Sequence, residues 1–318
     1  MSFNRRACKG WFAANPVRED SAPTPPSRGN MDASATVRSV DTGAARSLIW
    51  RSAAKDMGLK IQSEGGGFYG VGGADTGGIV WVHDLTLAGS AIHRLALYAT
   101  GRGTLTGNSV GLLGEDFLEK FDVEFDLAGR RIRLFTPRQC SGDQVVYWAS
   151  AYYMTALARP NSSWLEAEVE LDGHRILAMF DSGAGYSAIT TQGLRAARIT
   201  PESSAPGDPG VGLAGKPVDS DVAVFNTLTV GQEVIRNATL RVADLFANDK
   251  VTQTGSLAPQ RVFEPDMLIG ADFFLAHRIY VARSQNRLYF TYNGGPVFRH
   301  PSGQQAAPST GDQGTDTR

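Results

Sequence analysis

The sequence predicts a mainly β protein in which the second half repeats the elements of the first. The tetrapeptide Asp41-Thr42-Gly43-Ala44 recurs 140 residues later as Asp181-Ser182-Gly183-Ala184. The chain also contains 36 glycines, which supply turns for many short strands. Because self-similarity at a fixed spacing is the signature of a repeated structural unit, we expect two β-rich halves with a few short helices.

The first half begins with a strand that leads into the acid. Residues 36–40 are predicted as that strand, and apolar residues at helical spacing predict a helix over 44–57. A glycine-dense hairpin follows at 65–73. The later elements are predicted as strands over 79–87, 91–99 and 110–113, a helical turn over 116–120, and a closing hairpin over 121–135.

The second half has the same order of elements. The hairpin glycines Gly72 and Gly212 are 140 residues apart, as the triplets are. The segments Leu112-Leu113-Gly114 and Leu268-Ile269-Gly270 are farther apart by about 14 residues, so we expect a loop insertion near 246–263. The other predicted elements are strands over 164–171 and 175–180, a helical stretch over 187–197, a glycine hairpin over 209–212, strands over 222–230 and 234–242, and a closing hairpin over 273–290.

Composition describes a globular chain with little net charge. Hydrophobic residues make up 42% and charged residues 20%, and the formal net charge is -1, which gives no case for a nucleic-acid partner. No apolar run approaches the roughly 20 residues that cross a bilayer, so we expect no membrane span. A disulfide between Cys8 and Cys140 is not expected. The five histidines lack metal-ligand spacing, so we expect no metal and no cofactor.

The repeated acids are the candidate functional groups. Asp41 and Asp181 each follow a predicted strand and sit in a tight glycine turn, which places a carboxylate on a rigid support. Two such carboxylates suit acid–base chemistry. Ser47 and Ser187 follow at equal distances, but no histidine base lies near them in the sequence, so a serine nucleophile is not supported. Asp116 and Asp272 are also paired by the repeat, and we interpret them as caps of the short helices.

These elements together resemble the aspartic protease clan, which includes the pepsins and the retropepsins. The resemblance rests on both Asp-Thr/Ser-Gly-Ala segments, the glycine hairpins and both apolar-apolar-Gly segments, and it covers roughly residues 37–292. The alanine after each glycine is more similar to bacterial retropepsin-type proteins than to pepsins. The resemblance implies two pepsin/retropepsin-like lobes related by a pseudo-two-fold axis, which we place at 36–143 and 144–295. The polar segments 1–35 and 296–318 are expected to be disordered.

The resemblance also implies roles for individual residues. The loops bearing Asp41 and Asp181 would meet at the lobe interface and form the catalytic pair. Thr42 and Ser182 would hydrogen-bond across that interface. The supporting glycines implied by the resemblance are Gly43 and Gly183 in the triplets, and Gly114 and Gly270 where a strand passes behind each loop and only glycine fits.

The glycine hairpins are similar to the flaps that cover the cleft in this clan. The segment Tyr69-Gly70-Val71-Gly72 is similar to the tyrosine-bearing flap of pepsins, whereas Pro209 stands at the matching place before Gly210 and Gly212. We therefore expect the first hairpin to be the working flap, with Tyr69 on the substrate side. The alternative interpretation of Tyr69 is a surface aromatic. The hairpins also fit a dinucleotide fingerprint, but neither opens a helix, so nucleotide binding is not expected.

The function predicted from the resemblance is an aspartic endopeptidase that acts on peptide or protein substrates as a monomer of two fused lobes. The alternative is a catalytically inactive peptide-binding protein with a degenerate or misannotated N-terminal lobe. Its basis is the stretch before Asp41, where Pro25-Pro26 and Arg38 stand instead of the hairpin that precedes Asp181. A two-carboxylate glycosidase would not explain the repeat. No signal peptide is recognised, which favours the cytoplasm by default, with the periplasm or secretion left open if the natural start lies upstream.

Overall fold

The structure is a computed structural model that describes most of both halves. The described residues are 12–13, 30–31, 39–70, 73–87, 90–100, 110–136, 145–159, 162–211, 217–246 and 265–298.

The first half contains ten strands and two short helices among its described residues. The strands are β1 (Phe12–Ala13), β2 (Asn30–Met31), β3 (Ser39–Val40), β4 (Leu48–Trp50), β5 (Ile61–Gly70), β6 (Gly73–Leu87), β7 (Ser90–Thr100), β8 (Gly111–Leu113), β9 (Asp122–Asp126) and β10 (Arg131–Phe135), and the helices are α1 (Arg51–Asp56) and α2 (Glu115–Leu118).

The second half is built from elements of the same kinds in the same order. Its strands are β11 (Tyr153–Ala156), β12 (Glu166–Leu171), β13 (His174–Phe180), β14 (Ala188–Thr190), β15 (Ser203–Pro206), β16 (Gly210–Val211), β17 (Pro217–Val218), β18 (Ser220–Val230), β19 (Glu233–Ala243), β20 (Met267–Ile269), β21 (His277–Ala282) and β22 (Arg287–Tyr292). Its helices are α3 (Thr191–Ala197) and α4 (Ala271–Ala276), with a 3₁₀ turn at Arg283–Gln285.

Each half folds around the same three-strand arrangement. The strand before the acid runs parallel to the apolar strand that ends in glycine: β3 pairs with β8, and β13 with β20. The strand after the acid, β4 or β14, then pairs antiparallel with that same apolar strand. The prediction of a mainly β fold with two related lobes is therefore confirmed.

The helices predicted directly after the acid loops are shorter than expected. In place of one helix over 44–57, Leu48–Trp50 forms strand β4, and α1 begins at Arg51. Likewise Ala188–Thr190 forms β14, and α3 begins at Thr191. Packing explains why these residues are extended and not helical. Leu48–Trp50 and Ala188–Thr190 are buried between neighbouring strands, where an extended chain can pair with a strand on each side.

A sheet of six strands is shared by the two halves, in the order β1-β10-β9-β21-β22-β11. The halves join where β9 pairs antiparallel with β21, with Phe125 opposite Ile279 and Val123 opposite Val281. Phe125 is fully buried and meets Phe274 edge-on, with ring centroids 5.2 Å apart. One hydrophobic core thus continues from the first lobe into the second.

A buried carboxylate ties the shared sheet together. Glu124 on β9 is fully buried and pairs with Arg133 of β10 and with Arg278 of β21, whose Nη2 lies 2.8 Å from Oε1. The hydroxyl of Tyr147 donates to the other oxygen of Glu124 at 2.6 Å. Because Arg278 belongs to the second lobe, this cluster links the two lobes as well as two strands.

Two further polar contacts cross between the halves. Glu115 of α2 pairs with Arg283, and Asp122 accepts hydrogen bonds from the amide and hydroxyl of Ser284 at 3.0 and 2.7 Å. Burial raises the pKa of Glu115 to about 7, although the charge of Arg283 opposes this.

The domain bounds predicted from the sequence remain predictions. Within the segment expected to be disordered, Phe12–Ala13 pairs with β10 and Asn30–Met31 runs parallel to β6. The rest of 1–35, both cysteines, most of the predicted insertion and residues 299–318 lie outside the described residues. Among the helices that are described, none is long and apolar enough to cross a membrane.

Replacing Glu124 by Gln should lower the free energy of unfolding by about 3 kcal/mol, because Arg133 and Arg278 would lose their shared counter-charge in a buried setting. Urea denaturation at constant m-value measures this. The matched control is Glu170→Gln, whose partner Arg175 is largely exposed and which should change stability by less than about 1 kcal/mol. Equal effects of the two substitutions would contradict the assignment of Glu124 as the link between lobes.

Candidate active site

The two repeated acids lie in matching turns at the ends of strands. Asp41 follows β3, and its amide donates to the carbonyl of Leu113 at 2.9 Å. Its Oδ1 accepts hydrogen bonds from the amides of Gly43 at 2.9 Å and Ala44 at 3.1 Å. Each carboxylate is thereby held by its own loop. The corresponding bonds in the second lobe run from Asp181 to Ile269 at 2.8 Å, and from Gly183 and Ala184 to Asp181 Oδ1 at 2.9 and 3.0 Å.

The two loops face each other so closely that each glycine packs on the opposite carboxylate. A Cβ atom on Gly43 would lie 2.3 Å from Cγ of Asp181, and one on Gly183 would lie 2.4 Å from Cγ of Asp41. A larger residue at either position would displace the opposite carboxylate. The side chains of Asp41 and Asp181 also hydrogen-bond to each other, so the structure brings the predicted pair together.

Burial and proximity shift the proton affinity of the pair. Burial, then the like charge of Asp181 and the hydrogen bond to it, raise the pKa of Asp41 well above its ordinary value. Burial also raises the pKa of Asp181, while hydrogen bonds from Asp41 and from backbone amides oppose that rise. The pair therefore retains a proton at pH values where an isolated aspartate is ionised.

The second residue of each triplet reaches across to the other lobe. Thr42 Oγ1 donates to the carbonyl of Phe180 at 2.6 Å, and Ser182 Oγ donates to the carbonyl of Val40 at 2.7 Å. The amide of Ser182 donates to Thr42 Oγ1 at 2.9 Å, and the amide of Thr42 to Ser182 Oγ at 3.2 Å. Both hydroxyls thus bond to the backbone immediately before the opposite acid, as the resemblance implies.

Gly114 and Gly270 lie directly behind the acid loops. A Cβ on Gly114 would meet the carbonyl oxygen of Ala44 at 2.6 Å, and one on Gly270 would meet the carbonyl carbon of Tyr186 at 2.6 Å. The expectation that only glycine fits there agrees with these distances. The close approach lets the amides after these glycines bond to the loops, with Ala271 donating to the carbonyl of Ala184 at 2.7 Å.

A second layer of hydrogen bonds supports each loop, and the sequence interpretation missed it. Ser47 Oγ donates to Asp116 Oδ1 at 2.7 Å and accepts from the amide of Gly114 at 3.0 Å. In the second lobe, Ser187 Oγ donates to Asp272 Oδ1 at 2.6 Å and accepts from the amide of Gly270 at 2.9 Å. The repetition of both serines and both acids was the available signal.

The interpretation of Asp116 and Asp272 as helix caps is therefore wrong. The N-cap positions of α2 and α4 are Gly114 and Gly270, and neither helix has a side-chain cap hydrogen bond. Both acids bond instead to the amide and hydroxyl of the loop serine, which fixes the loop against the helix start. Burial raises the pKa of Asp272.

The glycine hairpins are described in part. In the first, Tyr69 pairs with Ala74 and Gly70 with Gly73, but Gly72 and the side chain of Tyr69 lie outside the described residues. In the second, Gly210 pairs with Val218, and Gly212 lies outside them. The flap roles remain predictions.

Within the described part of the chain, no group of three or more His, Cys, Asp or Glu side chains is placed to hold a metal ion.

Comparison with known families identifies the class that this pair of loops defines. The family model described as "Aspartyl protease" matches residues 35–117 and 167–273, so each segment contains one triplet and its apolar-apolar-Gly strand. The chain belongs to this family, and the predicted resemblance is confirmed. No curated protein matches the sequence.

Two similar solved structures are retropepsin-like proteins. One is the EIAV protease in complex with the inhibitor HBY-793, with 17% identity over 34% of this chain and 83% of that chain and a TM-score of 0.26. The other is a retropepsin-like aspartic protease from Rickettsia conorii, with 14% identity over 45% of this chain and 91% of that chain and a TM-score of 0.28.

Replacing Gly270 by Ala should destabilise the protein by about 1–3 kcal/mol, because the new methyl group would overlap backbone atoms of Tyr186. Thermal unfolding monitored by circular dichroism measures the loss. Gly185→Ala is the matched control in the same loop. No atom lies within 4 Å of its Cβ position, so it should change stability by less than about 1 kcal/mol. A Gly270→Ala protein as stable as the control would refute the close approach.

Replacing Asp41 by Asn should stabilise the protein increasingly as pH rises. The raised pKa of Asp41 in the folded state means that ionisation opposes folding, so wild-type stability falls from about pH 4 up to that raised pKa. Asparagine cannot ionise, so the variant escapes this loss, which amounts to about 1.4 kcal/mol for each unit of pKa shift.

Urea denaturation at a series of pH values from about 4 to 8 measures the difference between the two proteins. Asp56→Asn, at an exposed position at the end of α1, is the control and should give no comparable trend. A constant difference between Asp41→Asn and wild type over this range would show that Asp41 is not desolvated beside a second carboxyl group.

Proposed function

We propose that the protein is an aspartic endopeptidase that hydrolyses peptide bonds with a water molecule activated between Asp41 and Asp181. The observation that carries this proposal is the mutual packing of the two acid loops, in which each carboxylate lies against the glycine of the other loop. The raised pKa of both acids and the shared hydrogen bond support a pair that holds one proton.

The hydrogen bonds of the two turns distinguish the two carboxyl oxygens of each acid. Oδ1 of Asp41 and Oδ1 of Asp181 each accept two amide hydrogen bonds within their own turn. These bonds fix the plane of each carboxyl group, and we assign the proton transfers of the proposed reaction to the Oδ2 atoms. Because the loops are braced before substrate binds, little reorganisation is needed as charge develops.

The proposed reaction is a general acid–base hydrolysis, as is established for aspartic proteases in general. The ionised carboxylate accepts a proton from water while the water oxygen bonds to the carbonyl carbon of the peptide. The protonated carboxyl donates its proton to the carbonyl oxygen. The tetrahedral species then collapses: the carbon–nitrogen bond breaks as the leaving nitrogen takes the proton of the protonated carboxyl, and one hydroxyl of the intermediate returns its proton to the ionised carboxylate. The products are a carboxylic acid and an amine, and the pair again holds one proton. The pair titrates as a unit, so the steps apply with either acid ionised first.

The rest of the proposed enzyme follows from the two-lobe arrangement. The substrate is a peptide or protein, which lies across the acid pair beneath the first glycine hairpin. One chain supplies both acid loops, so a monomer suffices. The mechanism draws on the two carboxyl groups and water and requires neither metal nor cofactor.

One observation favours the second candidate, a peptide-binding protein without catalytic activity. The strand that leads into Asp181 carries the buried residues Ala178 and Met179, whereas the sequence carries Arg38 and Ser39 at the matching places before Asp41. A charged residue in the stretch before an acid loop is costly to bury unless it is paired, which favours a less stable first loop.

Cleavage of a diverse peptide mixture from about pH 3 to 7 tests the proposal, because a pair that shares one proton should be singly ionised within that range. Wild type should cleave, and Asp181→Asn should reduce the rate by at least about 100-fold, since it removes one member of the acid–base pair. Asp56→Asn should cleave as wild type does. If the folded wild type binds peptides but cleaves none, the binding protein replaces the enzyme as the better proposal.

A further inference from the structure

A buried arginine beside the second acid loop has no acidic partner among the described residues. Arg241 on β19 is 8% exposed. Its Nη1 donates to the carbonyl of Asp208 at 2.5 Å and to Ser220 Oγ at 2.7 Å, both uncharged acceptors. Its Nε is buried without a hydrogen-bond partner in the described part of the chain. Burying a charge in this way is costly unless something else pairs with it.

The side chain of Arg241 lies on the acid-loop side of β19. Successive residues of a strand face opposite sides, and Leu240 and Val242 pack in the main hydrophobic core. Arg241 therefore faces the same side as Ala243, which belongs to a separate apolar cluster that includes Ala184 of the acid loop.

Direct contacts place the guanidinium between the acid loop and the second glycine hairpin. Its Cζ lies 4.7 Å from the ring centroid of Tyr186, which stands between Asp181 and Ser187. The backbone amide of Arg241 donates to the carbonyl of Ser187 at 3.1 Å. Asp208 and Ser220 flank the paired strands β16 and β17 of the hairpin. In the proposed enzyme, this position is the wall of the cleft on the second-lobe side.

The first lobe shows that the fold itself does not require an arginine here. The parallel pairing of β4 with β7 places Leu48 opposite Tyr98, as the pairing of β14 with β19 places Ala188 opposite Arg241. Tyr98 therefore holds the position of Arg241 in the first lobe. The position of Tyr186, before the loop serine, is held by Arg46, which is exposed.

The arginine and the tyrosine have thus exchanged places between the lobes, and the buried arginine belongs to the second lobe. A tyrosine occupies the equivalent position in the first lobe, so packing does not require an arginine there. A ligand for the arginine explains its presence better.

We propose that Arg241 determines specificity by binding the carboxylate of an aspartate or glutamate side chain in the peptide substrate. This rests on the proposed function, because it assumes that peptides lie along the cleft between the lobes. The guanidinium lies over the ring of Tyr186, and Nη1 donates to the carbonyl of Asp208 and to Ser220 Oγ beside the hairpin. Nε has no partner among the described residues, and the edge that it forms with Nη2 suits two parallel hydrogen bonds to a carboxylate.

A binding selection that does not depend on catalysis tests the proposal. Immobilised Asp181→Asn protein is mixed with a random peptide library, and the retained peptides are sequenced. We expect Asp and Glu to be enriched at one position, and replacement of that Glu by Gln in a retained peptide to weaken binding by about tenfold or more, as the loss of a charge-assisted pair predicts.

Variants at Arg241 assign the preference to this side chain. In the same background, Arg241→Gln should abolish the preference for Glu over Gln. Arg241→Lys keeps the charge but loses the planar fork, so it should retain a weaker preference; it decides the question if the Gln variant does not fold. Arg236→Gln, at an exposed position on the same strand, is the matched control and should retain the full preference.

The outcomes separate this inference from the proposed function. Selective binding of acidic peptides without cleavage by the wild type supports the role of Arg241 and rejects the peptidase. Cleavage at sites without any acidic preference supports the peptidase and overturns the role of Arg241. An acidic preference that survives unchanged in both Arg241 variants, or a failure to retain any peptide, also overturns it.

Discussion

The acid pair depends on the reciprocal hydrogen bonds that Thr42 and Ser182 make across the lobe interface. Each hydroxyl donates to the carbonyl just before the opposite acid, at Phe180 or Val40. Two carboxyl groups in contact repel each other when both are ionised, so they stay together only on a support that resists separation. The crossed bonds provide this support at the site, and the shared six-stranded sheet with buried Glu124 provides it below.

The support is organised in successive layers, and every layer occurs twice. The acid is held by its own turn, and the hydroxyl of the serine that follows the turn bonds to Asp116 or Asp272 and to the amide of the glycine behind the loop. Gly114 and Gly270 let a strand end pass close behind each loop, so that the layers pack without a gap. Because each group is fixed by the next one outward, the carboxyl groups are oriented before any ligand arrives.

The halves match at the acids and differ away from them. The position of Arg241 in the second lobe is held by Tyr98 in the first. Equivalent settings suit a pair of acids that share one proton. A peptide, by contrast, has a direction and no two-fold symmetry, so unequal walls can recognise different residues on its two sides. The two acid loops are thus symmetric, as the proposed chemistry requires. The walls on either side of them differ, as recognition of a peptide would require.

The sequence by itself determined the repeat, the mainly β class and the two acid triplets, because these are written in local patterns and fixed spacings. It did not reveal that Leu48–Trp50 is a strand, because three apolar residues directly before a helix have the pattern of one more helical turn. Only the pairing of Leu48–Trp50 with β7 on one side and β8 on the other makes it a strand. Nor did it reveal that Asp116 accepts a hydrogen bond from Ser47, because the two residues are 69 positions apart in the sequence. The partnerless burial of Arg241 was likewise decided by the tertiary structure, since a sequence carries no record of which charges meet a counter-charge once the chain has folded.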